Sequence, residues 1–143
     1  MIFLDANFFL RALTDSDSPD VQARKAVVRS LFRQADRGEV ELTTSEAVIA
    51  EVAYVLASKS QYALSAAEAS ARIETLLRLR GMRLHDKRVL LNALKLWSEH
   101  PKIGFVDALA ASYGQQPGIE LATFDSHFDR ISEVNRWVPN TNE

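Results

Sequence analysis

Apolar positions along this chain change period repeatedly, from short continuous or alternating runs to spacings of three and four, and the changes predict strands and helices in turn. Ile2, Phe3 and Leu4 form a brief apolar run, followed by a short helix over Asn7 to Leu13 and the polar loop Thr14 to Ser18. Pro19 suits a first helical position, apolar Val21, Val28, Leu31 and Phe32 follow, and Gly38 is a natural terminator, so residues 19–37 read as a helix. Val40 to Thr43 alternates like a strand, and Thr44 or Ser45 is placed to cap a helix running through Glu51 toward Ser58. Ser65 and Glu68 have capping-box spacing ahead of Ile73, Leu76 and Leu77, with Gly81 as the stop. Met82 to His85 reads as a third strand, and Asp86 as the cap of a helix through Leu90, Leu94 and Trp97 to Pro101. Phe105 to Tyr113 reads as helix, Gln116 to Gly118 as turn, and Ile119 to Thr123 as an apolar strand leading into Asp125, with a last short strand near Trp137. This order predicts an α/β fold: a mainly parallel sheet with helices on both faces.

A length of 143 residues fits a single domain, expected over residues 1–139 with a frayed tail at 140–143. The chain has no cysteine, which excludes disulfides, thiolate zinc sites and cysteine nucleophiles, so any metal must sit on oxygen or histidine. No apolar run approaches the roughly 18 residues of a membrane span, and the amino terminus lacks a basic leader; a soluble, cytoplasmic protein is expected. The net charge of −2 excludes a uniformly basic nucleic-acid binder, but charge is segregated. Arg24, Lys25, Arg29, Arg33 and Arg37 face only Asp36 over residues 21–37, and residues 72–88 carry a second basic excess. The first twenty residues and the tail are acidic.

Four acids stand in the most apolar stretches. Asp5 ends the first predicted strand, Glu51 lies between Ala50 and Val52 of an apolar helix, Asp107 follows Phe105 and Val106, and Asp125 ends the strand 119–123. Strand carboxyl ends and the helix starts that follow them form the crevice where α/β folds bind ligands, which places Asp5 and Asp125 together. Carboxylates gathered there would repel one another unless a cation neutralised them, and hard oxygen ligands favour Mg²⁺ or Mn²⁺ over Zn²⁺. Each acid also has a plain structural role open to it: an Asx turn for Asp5, a helix cap for Asp125, a first-turn acid favoured by the helix dipole for Asp107, and an ion-paired or snorkelling side chain for Glu51.

With these residues in place the chain resembles PIN-domain ribonucleases, above all the toxins of VapBC-type toxin-antitoxin pairs. The resemblance rests on Phe3-Leu4-Asp5-Ala6-Asn7, on Ser45 to Val52, on Phe105 to Ala111, and on Thr123-Phe124-Asp125-Ser126-His127-Phe128-Asp129, in that order over nearly the whole chain. It implies a three-layer α/β/α fold and a Mg²⁺- or Mn²⁺-dependent endoribonuclease in which Asp5 and Asp107 hold the metal, Glu51 binds it or orients its water, and Asp125 completes the acidic pocket. Asn7 and Thr123 would support them, Asp129 is auxiliary, and His127 reads as a solvated residue of a polar turn. Arg11, Arg24, Lys25 and Arg29 are candidates for holding the RNA backbone. A cognate antitoxin and a homodimer are the implied protein partners, with Leu31, Phe32, Tyr54 and Leu64 available to an interface or to the core. Two other readings stay open: an aspartate-nucleophile phosphohydrolase using Asp5, and a non-catalytic RNA- or partner-binding module whose acids are only caps.

Overall fold

The computed structural model describes residues 1–15 and 18–140. Ser16 and Asp17 of the expected loop, and residues 141–143 of the expected tail, lie outside the described residues. The elements run β1 (Ile2–Phe3), α1 (Ala6–Leu13), α2 (Pro19–Asp36), β2 (Leu42–Thr43), α3 (Glu46–Ala57), α4 (Ala66–Leu77), α5 (Lys87–Glu99) and α6 (Phe105–Gly114), followed by a 3-10 turn over Ser126–Arg130. β1 and β2 pair in parallel, Ile2 opposite Leu42 and Phe3 opposite Thr43. Met82 extends the sheet by a single parallel bridge to Leu42.

Local chemistry explains most boundaries. The Ser45 hydroxyl accepts from the Val48 amide at 3.2 Å and starts α3. Ser65 and Glu68 complete a reciprocal capping box at the head of α4. Past the end of α2, Gly38 takes a positive φ of 74°, its amide bonds Ala35 and the next amide bonds Gln34, a Schellman closure that only a residue without Cβ adopts cheaply. Gly81 has a different role from the expected helix stop, because α4 already ends at Leu77. Its amide donates to Ala35 and its carbonyl accepts from Leu42, so it lies between the end of α2 and β2 where a Cβ would meet the Val40 carbonyl oxygen at 2.2 Å.

The core fills the space between the short sheet and the helices, with Leu4, Phe9, Leu42, Ile49, Leu56, Ile73, Leu77, Leu90 and Leu94 fully enclosed. Each such side chain contributes roughly 1.5–3 kcal/mol of burial. Phe9 packs on Phe32 at a ring separation of 6.1 Å, and Trp97 meets Phe105 edge to face at 5.9 Å. Phe32 is therefore core, and Leu31 and Leu64 pack half-buried against it, leaving Tyr54 as the exposed member of the set considered for an interface. Between α5 and α6, the enclosed Ser112 hydroxyl donates to the Val89 carbonyl at 2.7 Å and accepts from Asn92, which also bonds Gln115.

Two strand expectations contract. Residues 82–85 contribute only the Met82 bridge, and residues 119–123 do not join the sheet: Leu121 bridges Arg136 instead. The Leu121 amide donates to Asn135, its carbonyl accepts from Trp137, and the Arg136 guanidinium donates to the Thr123 carbonyl, so the nearby C-terminal segment satisfies this run's polar backbone. Among the described residues no strand pairs with the outer edge of β1, and Phe3 is 58% exposed there.

Lys25 departs from its expected place on an RNA-facing surface. It is 4% exposed, and its ammonium donates to the Thr14 carbonyl at 2.8 Å and to the exposed Asp15 carboxylate at 2.6 Å. The contact lowers the Asp15 pKa, so its contribution is present above the ordinary carboxylate range and is lost as pH falls through the lowered value. Lys25→Met should cost about 1–3 kcal/mol by leaving the Thr14 carbonyl without its donor, and should lower Tm by several degrees, whereas Asp15→Asn should cost less. Gly81→Ala should cost about 3 kcal/mol through backbone overlap, read by chemical denaturation.

Candidate functional site

Asp5 is positioned by two constraints. The β1–β2 pairing carries the chain to Leu4, whose carbonyl accepts from the buried Thr44 hydroxyl at 2.8 Å, and the next residue caps α1, its carboxylate accepting from the Phe8 amide at 3.1 Å. One carboxylate oxygen is thus held at the positive end of a helix while the side chain stays exposed. A cavity of about 320 Å³ opens beside it, lined by Asp5, Asn7, Phe8, Arg11, Arg24, Val27 and Val28. This places the expected acid, one expected supporting amide and two of the expected backbone-binding arginines around one opening. Arg29 is exposed farther along α2.

Glu51 and Asp107 lie on neighbouring helices. Glu51 is exposed on α3, and Asp107 is exposed in the first turn of α6, whose cap position is Gly104 and has no side chain to satisfy the helix start. Among the described residues neither carboxylate carries a hydrogen bond or an ion pair. Asp107 borders a second cavity, of about 410 Å³, with Ala50, Ala53 and Tyr54 of α3 and the loop from Pro101 to Gly104.

Asp125 and its neighbours are engaged locally. Asp125 caps the 3-10 turn, accepting from the His127 amide at 2.8 Å and contacting the His127 ring at 2.7 Å, and both contacts lower its pKa. Its own amide donates to the Thr123 hydroxyl at 3.0 Å. His127, expected as merely solvated, is exposed yet partnered. Asp129 pairs with Arg136 at 2.5 Å, which turns it toward the C-terminal segment.

The four acids supply the hard oxygen donors a divalent cation requires, but they do not gather. Among the described residues no three of His, Asp and Glu stand together in a way that could hold a metal ion. The arrangement is two openings, one around Asp5 and one around Asp107.

Sequence reasoning missed a further cluster. The Tyr113 hydroxyl donates a short hydrogen bond to Glu46, and Asp86 lies 3.5 Å from the same hydroxyl. Asp86 holds the expected N-cap position of α5, but its side chain makes no cap bond: it sits in left-handed backbone at φ 52°, with its carboxylate toward Tyr113 and 3.3 Å from His85. Glu46 serves this bond in addition to occupying the first turn of α3. Helical spacing alone could not reveal the contact, because Tyr113 and Glu46 are 67 residues apart.

Residues 2–134 match the PIN domain family, and the chain belongs to that family. Comparison with curated proteins gives no match. PIN domains are generally metal-dependent nucleases, so nucleic acid is the class of substrate the fold implies. Among the described residues, six helices and a parallel sheet agree with the α/β PIN-like architecture. Among the described residues no helix is long and apolar enough to cross a membrane.

The Glu46 bond, together with burial, raises the Tyr113 pKa to about 12. An unfolded tyrosine loses its proton near 10, so the folded state retains the proton longer and stability should fall as pH rises from about 10 to 12. Ultraviolet titration should show a late tyrosinate step near pH 12 that Tyr113→Phe abolishes, and the substitution should flatten the stability profile across that window.

Proposed function

We propose that this protein is a divalent-metal-dependent endoribonuclease, with Asp5, Glu51, Asp107 and Asp125 as its catalytic acids and Mg²⁺ or Mn²⁺ as the cofactor. The observation that carries the reading is the opening that joins Asp5 and Asn7 to Arg11 and Arg24, within a chain that belongs to a family of nucleases. A carboxylate alone would repel a phosphodiester. Two guanidiniums beside it supply fixed positive charge and forked donors for phosphate oxygens, so the same opening can hold a backbone and present an acid to it.

Each residue has a definable task. Arg11 and Arg24 bind and orient the phosphate, with the exposed Arg29 extending the positive track along α2. Asp5 is held still by the Phe8 amide, and Asn7 lines the same opening. Glu51 and Asp107, free of competing ion pairs among the described residues, remain available as oxygen donors from the α3–α6 side. A divalent ion supplies charge neutralisation and an acidified water in chemistry of this class. With no gathered donor set among the described residues, drawing the acids together is part of the cost of binding such an ion.

The biological role proposed is that of a VapC-type toxin, acting on RNA in the cytoplasm, dimeric and held by a cognate antitoxin. Its support is the whole-length match and the order of the motifs around Asp5, Glu51, Asp107 and Asp125. A second reading, binding of nucleic acid without cleavage, is favoured by the caps that Asp5 and Asp125 form and by the dispersal of the acids.

Purified protein should cleave RNA with added Mg²⁺ or Mn²⁺ and stop in chelator, and Asp5→Asn or Asp107→Asn should lower the rate by at least about 100-fold, the scale on which electrostatic and acid–base groups contribute. Arg24→Ala should weaken RNA binding and reduce the salt slope of log K by about one. Cleavage that persists in chelator would refute the metal dependence, and intact RNA bound equally well with and without metal would establish the binding module. Growth arrest on expression, relieved by a small neighbouring gene, tests the toxin role.

A further inference from the structure

We propose that the groove between α3 and the start of α6 is a nucleobase subsite, in which Tyr54 stacks on a base of single-stranded RNA beside Asp107. The proposal rests on the ribonuclease reading and adds to it a residue that engages a base.

Three observations converge on Tyr54. Tyr54 is 73% exposed, although it belongs to an apolar helix whose neighbouring residues Val52, Ala53 and Leu56 are enclosed. The groove beside it, about 410 Å³, has methyl side chains at Ala50, Ala53 and Ala57, with Val106 on the opposite element. Residues 50, 53 and 57 recur on one helical face, so small side chains leave space where larger ones would fill it, and a large aromatic stands alongside. The result is an apolar slot with a flat ring beside it, the arrangement on which bases stack without regard to sequence.

The lining charges identify the occupant. Asp107 borders the groove and belongs to the proposed catalytic set, so a base in the slot would lie beside the acid that acts on its backbone. Lys102 also lines the groove and has no ion pair among the described residues, which gives the phosphate next to the bound base a cation. An apolar slot with a free ammonium at its edge suits a base together with its phosphate. Duplex RNA keeps its base faces covered, so the slot accepts single strands, loops and bulges.

The test measures binding of a labelled single-stranded oligoribonucleotide of mixed sequence, and of its duplex, to the full chain. Mg²⁺ is present, and an Asp5→Asn background suppresses cleavage. Adding Tyr54→Ala should raise the single-strand Kd about tenfold, within the range for loss of one stacked base, while Tyr54→Phe and Tyr54→Trp retain parent affinity and duplex binding does not change. Equal affinity of the Ala variant and its parent would overturn the subsite, as would equal weakening of single strand and duplex. A shift in sedimentation mass caused by Tyr54→Ala would overturn it too, because a second copy of the chain would then cover this face. Cleavage of RNA by the unsubstituted protein is scored separately. An active enzyme without a Tyr54 effect refutes the subsite alone, and a Tyr54 effect in a protein that never cuts RNA refutes the ribonuclease reading alone.

Discussion

The hydrogen bond from the buried Thr44 hydroxyl to the Leu4 carbonyl fixes the geometry on which the candidate site depends. It joins residues 40 apart at the point where both strands of the sheet end. One residue beyond each partner, a helix begins: Asp5 caps α1 and Ser45 caps α3. Two helix starts are therefore pinned side by side, and each cap side chain satisfies a backbone amide that would otherwise lack a partner. Glu51 is six residues beyond the α3 cap, roughly 9 Å along the axis at the helical rise.

A second constraint governs the other acid. Asp107 is carried by α6, and α6 is fastened to α5 through Ser112, whose enclosed hydroxyl bonds the Val89 carbonyl and the Asn92 amide. Polar contacts of this kind fix rotation as well as separation, so they determine which residues of α6 face outward. The face left outward carries Val106 and Asp107 at one end of the helix, while Tyr113 at the other reaches Glu46 of α3. Helix α3 is thereby gripped near its start by α6 and near its middle by the core, while Glu51 and Tyr54 point to solvent.

Features governed by local chemistry were legible in the chain. Ser45, the Ser65–Glu68 box and Gly38 mark helix ends because the bonds involved span three to five residues. Strand 119–123 was not legible as a misfit, since its apolar pattern suits a sheet equally well; the competing partners at residues 135–137 only become apparent in three dimensions. Asp86 has the right residue type for a cap but left-handed backbone, and Tyr113 draws its carboxylate elsewhere. Lys25 had a readable signal that charge counting hid: it shares a helical face with Val21, Val28 and Phe32. For the site, the sequence pattern places Asp5, Glu51 and Asp107 on the elements observed, and only the strand before Asp125 differs. Convergence depends on how helices pack, and short-range capping claims Asp5 and Asp125 individually.

The outer side of β1, unpartnered among the described residues, has a consequence for how the molecule behaves when crowded. Open sheet margins template the addition of foreign strands, and Ile2 and Phe3 bring no charge to deter an intruder. What protects this margin is brevity: two residues offer an arriving chain too few amide and carbonyl groups to seed a growing ribbon.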